Sequence, residues 1–127
     1  MAKLLIVEDD PLISRMYNRL FTLEGYEVEI ANNGEEGITK AKTTSPSLIL
    51  LDVMMPTMNG LQTLEVLKSD LQTKMIPVIM LSNLTGEQDA EDALNKGAIK
   101  YIVKSAYEPE DITKMIKEFL TKQNPLS

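Results

Sequence analysis

Apolar residues recur along this chain in short runs, and each run is followed by a longer stretch with helical spacing. Five runs are present: Leu4–Val7, Val28–Ile30, Leu48–Leu51, Ile76–Leu81 and Tyr101–Val103. Short runs without polar alternation, like those in the middle of this set, are typical of strands that are buried on both faces of a sheet. The pattern therefore predicts five strands.

The stretches that follow the runs carry apolar residues three or four positions apart, which predicts five helices. Their stripes are Ile13, Met16, Tyr17 and Leu20; Ile38 and Ala41; Leu61, Leu64, Val66 and Leu67; Ala90, Ala93 and Leu94; and Ile112, Met115, Ile116, Phe119 and Leu120. Strands that alternate with helices predict a doubly wound α/β domain, with a parallel sheet covered on both faces. We expect one domain over residues 1–127, with its core at 3–121 and a frayed end at 122–127.

Polar side chains follow four of the five predicted strands. They are Glu8, Asp9 and Asp10 after the first, Asp52 after the third, Ser82 after the fourth and Lys104 after the fifth. In a doubly wound sheet, ligands bind outside the carboxyl ends of the strands. We therefore expect one pocket that combines carboxylates, a hydroxyl and an ammonium group. Asp10, which precedes Pro11, is expected to cap the first helix instead.

The residue types limit the chemistry of such a pocket. The chain has no histidine and no cysteine, which excludes Ser-His-Asp and Cys-His catalysis and zinc sites built on those residues. Two carboxylates about 4 Å apart repel by roughly 4 kcal/mol at an effective dielectric constant near 20, so Glu8, Asp9 and Asp52 need a cation. Oxygen ligands alone favour Mg²⁺. Beside a lysine, this set suits a phosphoryl group, with one carboxylate as nucleophile.

Charge and hydropathy exclude other classes. The net charge of -6 and pI near 4.7 argue against direct binding of nucleic acid. No apolar stretch is long enough to span a membrane, and the first residues lack the pattern of a cleavable signal. The absence of cysteine is compatible with a reducing compartment, and we expect a cytoplasmic location.

Four segments at the predicted strand ends carry a family resemblance. They are LLIVEDDPLI, LILLDVMMPTMNG, VIMLSN and YIVKS. Together they resemble the response-regulator receiver domain (CheY-like superfamily) of two-component signalling, over Lys3 to about Leu120. The resemblance implies a (βα)5 flavodoxin-like fold with the sheet order 2-1-3-4-5. It also implies a signalling protein rather than an enzyme, and because no output domain is recognisable in these residues we expect a stand-alone regulator.

The resemblance assigns a chemical role to each acid. Asp52 would accept a phosphoryl group from a phosphohistidine on a partner kinase or phosphotransfer protein. Asp9 and Asp52 would bind Mg²⁺ directly, together with the backbone carbonyl of Met54. Glu8 would reach the ion through a water molecule.

The resemblance also implies a conformational switch. Ser82 and Lys104 would contact the phosphoryl oxygens, and Tyr101 would occupy the aromatic switch position. The output surface for a downstream partner would be the fourth helix, fifth strand and fifth helix. The chain would be a monomer or a phosphorylation-dependent dimer.

Two further expectations concern the rim of the pocket. Met54 and Leu84 stand at the positions that flank the approach of a hydrolytic water in the family, and both are apolar, which predicts slow hydrolysis of the phosphoryl group. Leu12 or Ile13 at the start of the first helix would dock the kinase. The alternative is that Ile13, with Met16, only faces the core.

One position departs from the family pattern, since Ser105 follows Lys104 where proline is common. A cis bond before a non-proline residue costs about 2.5–4 kcal/mol, so we predict a trans bond and an altered loop.

Three other functions fit the residues less well. A Mg²⁺-dependent phosphohydrolase would place a general acid where Met54 stands. A nucleotide- or flavin-binding module would need a glycine-rich phosphate loop, and no such motif is present. A pseudo-receiver that only docks would usually lack an acid or the lysine, yet Glu8, Asp9, Asp52 and Lys104 are all present.

Overall fold

The computed structural model describes residues 2–84 and 86–123. Its strands are β1 (Lys3–Val7), β2 (Glu27–Ala31), β3 (Leu48–Leu51), β4 (Val78–Ser82) and β5 (Lys100–Val103). Its helices are α1 (Pro11–Leu23), α2 (Gly34–Thr44), α3 (Gly60–Ser69), α4 (Glu87–Asn95) and α5 (Pro109–Gln123). The five predicted strands and five predicted helices are confirmed. β4 begins later than its apolar run, after Pro77, which has no N–H to donate to a sheet.

The strands form one parallel sheet in the order β2-β1-β3-β4-β5, which confirms the predicted order. β2 is an edge strand, and β1, β3, β4 and β5 are consecutive neighbours. Val7 of β1 lies beside Leu51 of β3, so the residues that follow them, Glu8 and Asp52, are also neighbours. The register therefore brings the polar strand ends to one edge of the sheet.

Apolar side chains cover the sheet on both faces. One face, here called the α2–α4 face, packs Leu5, Val7, Ile49, Leu51, Val78 and Met80 against α2, α3 and α4. The other, the α1–α5 face, packs Leu4, Ile6, Leu48, Leu50, Ile79, Leu81 and Ile102 against α1 and α5. Successive strand residues point to opposite faces. By this alternation Glu8 and Asp52 continue the α1–α5 face, and Ser82 continues the α2–α4 face.

Side-chain caps begin three helices at the carboxyl edge of the sheet. Asp10 accepts a hydrogen bond from the Leu12 amide at 2.9 Å, which confirms its predicted capping role. Asn33 caps α2 in the same way, and Asn59 forms a reciprocal capping box with Gln62 at the start of α3.

Three of the residues assigned to apolar stripes lie outside the core. Met16, Val66 and Leu94 are 37%, 39% and 48% exposed. In α1 the inward positions are instead Tyr17 and Phe21, one helical turn apart, so Met16 falls on the flank of the helix. The sequence pattern locates the helix but leaves its rotation about the axis open.

The loop after β5 forms a 3-10 turn over Lys104–Ala106, and the Lys104–Ser105 bond is trans, as predicted. α5 begins at Pro109 and continues to Gln123. The expected frayed end, 122–127, stays a prediction: residues 122 and 123 belong to α5, and 124–127 lie outside the described residues. Among the described residues, no helix combines the length and the apolarity that crossing a membrane requires.

Candidate functional site

Three carboxylates meet at the carboxyl edge of the sheet. Glu8, Asp9 and Asp52 each offer an oxygen, and these oxygens lie within 4.8 Å of one another. Glu8 and Asp52 are 4% and 8% exposed, whereas Asp9 faces solvent. The Asp52 amide donates to the Val7 carbonyl at 3.1 Å, so the sheet hydrogen bonding continues into the site. The predicted cluster of acids is present, and the hydrogen bonding of the sheet fixes the backbone that carries Asp52.

Lys104 provides the cation of the cluster. Its Nζ donates to Oε1 of Glu8 and lies 3.4 Å from Oδ2 of Asp52. Its side chain is only 10% exposed, because the 3-10 turn folds it over the strand ends. One ammonium group thus bridges two buried carboxylates from β1 and β3.

The charges in this cluster are not balanced. Burial raises the pKa of Glu8 to about 7, and the negative charge of Asp52 adds to that rise, although Lys104 and the Asp10 amide act in the opposite direction. With three acids and one ammonium group, the ionised site carries excess negative charge. Its donor atoms are carboxylate oxygens, which a hard divalent cation prefers. The residues present therefore fit a Mg²⁺ ion in their charge and in their ligand type.

Backbone contacts orient the Asp52 side chain. The Met54 amide donates to Oδ1 of Asp52 at 3.2 Å, while Oδ2 faces Lys104. The side chain of Met54 is 58% exposed at the rim of the site. Ligation of a metal by the Met54 carbonyl stays a prediction.

Gly60 allows α3 to begin directly against the backbone of Asp52 and Val53, at the end of β3. A Cβ atom at Gly60 would lie 2.1 Å from the carbonyl oxygen of Asp52 and 2.7 Å from Cα of Val53. Its amide donates to the Val53 carbonyl at 2.8 Å. The close approach of Gly60 to β3 was not predicted; the Asn59-Gly60 pair before the apolar stripe of α3 is the signal in the sequence that could have indicated it.

Ser82 and Tyr101 lie on the α2–α4 face, apart from the charged cluster. Ser82 is fully buried, and its Oγ accepts a hydrogen bond from the Leu84 amide at 3.3 Å. The Tyr101 hydroxyl donates to the Leu84 carbonyl at 3.0 Å. Burial raises the pKa of Tyr101, so the hydroxyl stays protonated at neutral pH. Both predicted switch residues thus contact the loop between β4 and α4.

Met54 and Leu84 line the same open groove beside Asp52. Val53, Met55, Pro56, Asn59, Leu61 and Asp89 complete its wall. The two apolar side chains thus lie together in a groove that includes Val53, the residue after Asp52. Their influence on the access of water stays a prediction.

The two candidate docking residues differ in exposure. Leu12 is 73% exposed at the first turn of α1. Ile13 is partly buried and packs against the core of the α1–α5 face. Leu12 is thus available to a partner, whereas Ile13 serves the core in this structure.

The sequence matches the response regulator receiver domain over residues 4–117. The chain belongs to this family. Receiver domains are parts of two-component signalling proteins, so the chain is a receiver of that type. The predicted resemblance is confirmed.

Several bacterial proteins are similar in sequence to this chain over most of its length. PilH of Pseudomonas aeruginosa is 36% identical over 122 residues, which cover 94% of this chain and 98% of that protein. The nitrate/nitrite response regulator NarL of Escherichia coli is 37% identical over 128 residues, or 99% of this chain and 58% of NarL. This chain matches 51% of the DNA-binding response regulator MtrA of Mycolicibacterium smegmatis. The receiver therefore spans about half the length of NarL and MtrA.

Solved structures agree with the fold. The CheY-like response regulator receiver domain protein of Methanospirillum hungatei superposes with a TM-score of 0.88 at 32% identity, over 100% of this chain and 99% of that one. The signal receiver domain of a histidine kinase from Syntrophus aciditrophicus gives a TM-score of 0.85 at 30% identity, over 100% and 96% of the two chains.

Proposed function

We propose that this receiver accepts a phosphoryl group on Asp52 from a phosphohistidine of a partner kinase or phosphotransfer protein. The partner supplies the histidine, because this chain has none. An oxygen of the Asp52 carboxylate attacks phosphorus, the bond between phosphorus and the imidazole nitrogen breaks, and that nitrogen keeps the electron pair. The observation that carries the proposal is the nearly buried Asp52 carboxylate, which lies against Lys104 and two further acids.

Residues around Asp52 prepare it for this attack. The Met54 amide holds Oδ1, which limits rotation of the carboxylate. Lys104, 3.4 Å from Oδ2, is close enough to contact the oxygens of an incoming phosphoryl group. A fixed positive charge at the place where negative charge develops lowers the barrier, because no solvent has to reorganise.

Asp9, Asp52 and the Met54 carbonyl would hold Mg²⁺, with Glu8 acting through water. When bound, the ion would neutralise charge on the transferring phosphoryl group. Binding to the folded state should raise the free energy of unfolding by about 2.7 kcal/mol at a hundredfold excess over the dissociation constant. Asp9→Ala should fold normally, because it removes one of three repelling charges, and should lose that gain in a urea titration. An undiminished response of Asp9→Ala to Mg²⁺ would locate the ion elsewhere.

The signal would pass from Asp52 to the α2–α4 face. New oxygens on Asp52 would attract the Ser82 hydroxyl, the β4–α4 loop would move inward, and Tyr101 would follow. A downstream partner would then bind the surface of α4, β5 and α5. We place the protein in the cytoplasm, as a monomer or as a dimer that forms on phosphorylation.

The test is incubation with a small-molecule phosphodonor and Mg²⁺, followed by intact mass measurement. Wild type should gain the mass of one phosphoryl group, and Asp52→Asn should gain none. Asp10→Asn is the matched control, because it keeps a capping side chain and lies outside the acid cluster. If wild type gains no mass, the chain is a docking receiver that is not phosphorylated.

A phosphohydrolase is less well supported. Such an enzyme needs a general acid near the nucleophile, and the side chain at the relevant position, Met54, is apolar and 58% exposed. Steady release of inorganic phosphate over many turnovers would be the observation in its favour.

A further inference from the structure

The edge of the sheet opposite the acid cluster, where the strands begin, carries exposed apolar side chains. Leu71 and Met75, in the loop between α3 and β4, are 81% and 84% exposed, the highest values among the large apolar side chains that the structure describes. Ile99, in the loop between α4 and β5, is 46% exposed. β4 and β5 are paired neighbours, so the loops that precede them lie side by side. Exposed apolar side chains that lie together mark a site of interaction.

The turn between α3 and β4 is held from the inside. The Thr73 side chain is 1% exposed, and its Oγ1 donates to the Leu67 carbonyl at 2.6 Å. The Nζ atom of Lys68 donates to the carbonyls of Lys74 and Ile76 at 3.1 and 2.7 Å. These hydrogen bonds fix the backbone of the turn, so the apolar side chains on either side of Thr73 are kept outside the core.

Contacts from α3 join the two loops into one surface. A Cβ atom built at Gly97 would lie 3.0 Å from Cγ of Lys68, so the α4–β5 loop packs on the stem of this lysine. The ammonium group of Lys96 pairs with Glu65 of α3. We call the resulting patch the amino-edge surface, and it comprises Leu71, Lys74, Met75, Lys96, Ile99 and Lys100.

The amino-edge surface is positive, although the chain as a whole is negative. Residues 68–76 and 94–100 contain four lysines and one acid, whereas the net charge of the chain is -6. Lys74 and Lys100 are exposed. Charges in water are screened over about 8 Å at physiological ionic strength, so a partner at this edge meets mainly the local positive charge. The complementary partner carries acidic and apolar side chains together.

We propose that the amino-edge surface is a docking site for a partner protein that presents acidic and apolar side chains on one face, as an acidic amphipathic helix does. The surface lies at the edge opposite Asp52, so docking there would leave the acid cluster accessible. The inference does not rest on the proposed function, because docking at this edge requires neither Mg²⁺ nor a phosphoryl group.

A lipid surface fits the same side chains less well. An anionic bilayer extends beyond the patch and would repel the acidic remainder of the chain. Helices that lie on membranes typically anchor through Trp, Phe and Leu, whereas this surface presents one Leu, one Met and one Ile. Methionine is flexible and polarizable, and it is enriched where proteins bind other proteins.

The first experiment titrates the isotope-labelled chain with a synthetic amphipathic peptide of Glu and Leu and follows the backbone amides by NMR. The shifts should concentrate in residues 70–76 and 96–100. Leu71→Gln combined with Met75→Gln should weaken binding about tenfold, because the apolar anchors are lost. Leu23→Gln is the matched control, since Leu23 is 76% exposed on α1, and its affinity should stay close to that of wild type. Absence of binding at millimolar peptide, or shifts located elsewhere, would overturn the proposal.

The second experiment tests the charge of the surface. Lys74→Glu combined with Lys100→Glu should weaken binding about tenfold at low salt, whereas Lys114→Glu, at an exposed position of α5, should have little effect. A peptide with Lys in place of each Glu should bind more weakly than the acidic peptide. Equal affinity for the two peptides would overturn the proposal. Affinity should not change when Mg²⁺ and a small phosphodonor are added, and a dependence on them would also overturn it.

The third experiment tests two other occupants of the surface. Wild type and the Leu71→Gln, Met75→Gln variant are sedimented with phosphatidylglycerol vesicles and, separately, alone. Neither protein should sediment with vesicles, and both should have the same oligomeric state. Vesicle binding that the variant loses would assign the surface to a lipid membrane and overturn the proposal. A dimer that the variant dissociates would assign it to a second copy of this chain and overturn the proposal as well.

Discussion

The two faces of the sheet carry different interactions at the edge where the strands end. On the α1–α5 face, the Lys104 ammonium group bridges the buried carboxyl groups of Glu8 and Asp52. On the α2–α4 face, Ser82 and Tyr101 make neutral hydrogen bonds to the backbone of Leu84. Breaking a buried ion pair costs about 3–5 kcal/mol, whereas a neutral hydrogen bond contributes about 1 kcal/mol. The face with the weaker interactions is the one that can rearrange.

The difference suggests a division of tasks between the faces. In the proposed function, the charged cluster keeps Asp52 in one geometry, which transfer chemistry requires. The hydroxyls on the other face hold a loop by contacts weak enough to be exchanged for contacts to a phosphoryl group. Because adjacent residues of a strand point to opposite faces, a single sheet edge can serve both tasks.

The largest expected effect is on the charged face. Lys104→Met would leave Glu8 and Asp52 buried without their cation, so the free energy of unfolding should fall by about 3 kcal/mol in the absence of Mg²⁺. Urea unfolding measures the loss, and added Mg²⁺ should reverse part of it. Lys96→Met is the control, because its ion pair with Glu65 is solvent-exposed and should contribute little. Equal losses in the two variants would mean that the buried cluster is not a special source of stability.

The next effect concerns the groove that Met54 and Leu84 line. Met54 and Leu84 cannot hydrogen-bond an attacking water and can crowd it, so the phosphoryl form should hydrolyse slowly. Replacing them together, by Met54→Asn and Leu84→Glu, should shorten its lifetime about tenfold, or about 1.4 kcal/mol in barrier height. The measurement is the decay of the phosphorylated mass after removal of the donor. An unchanged lifetime, with phosphorylation intact, would assign control of water access to other residues.

A smaller effect is expected on the neutral face. Tyr101→Phe removes the hydrogen bond to the Leu84 carbonyl, so the free energy of unfolding should fall by about 1 kcal/mol. The initial rate of phosphorylation by a small donor should stay unchanged, because the charged cluster is intact. Tyr107→Phe, at an exposed tyrosine, is the control. A loss of phosphorylation rate in Tyr101→Phe would show that the two faces are not separate in their tasks.

The smallest effect lies at the rim of the charged face. Leu12→Ala should slow transfer from the kinase several-fold, because an exposed apolar anchor is lost, and should leave the small-donor rate unchanged. Leu23→Ala is matched to it, since Leu23 is 76% exposed at the other end of α1. If Leu12→Ala slows transfer from both donors, the pocket itself is disturbed. If Leu12→Ala and Leu23→Ala have equal transfer rates from the kinase, Leu12 is not part of the docking surface.

Much of the carboxyl edge of the sheet could be predicted from the sequence, because the order of residues along the chain determines which side chains stand at the strand ends. Each apolar run ends at a polar residue, and parallel strands bring their ends together, so Glu8, Asp52 and Lys104 were expected to meet. The contrast between the faces could not be predicted in detail. It depends on the register that aligns Val7 with Leu51, and on the pleat that turns successive side chains to opposite faces.

The rotation of a helix about its own axis and the path of the loop after β5 could also not be predicted from the sequence pattern. Met16 and Phe21 are both compatible with an apolar stripe on α1, and packing decides that Phe21 enters the core while Met16 stays on the flank. The 3-10 turn that carries Lys104 over the strand ends involves residues with no strong local preference for that turn. Tertiary contacts determine these features.

The absence of a side chain at Gly60 limits how this protein can be engineered. Glycine is the poorest helix former after proline, so replacing it by alanine at a helix start is an ordinary way to stabilise a domain. Here the added methyl group would meet the carbonyl oxygen of Asp52 at 2.1 Å, and the obstacle is backbone rather than a movable side chain. The cost of displacing the Asp52 backbone would therefore offset the gain in helix propensity. Stabilising substitutions in α3 belong on its exposed positions, such as Val66 and Ser69.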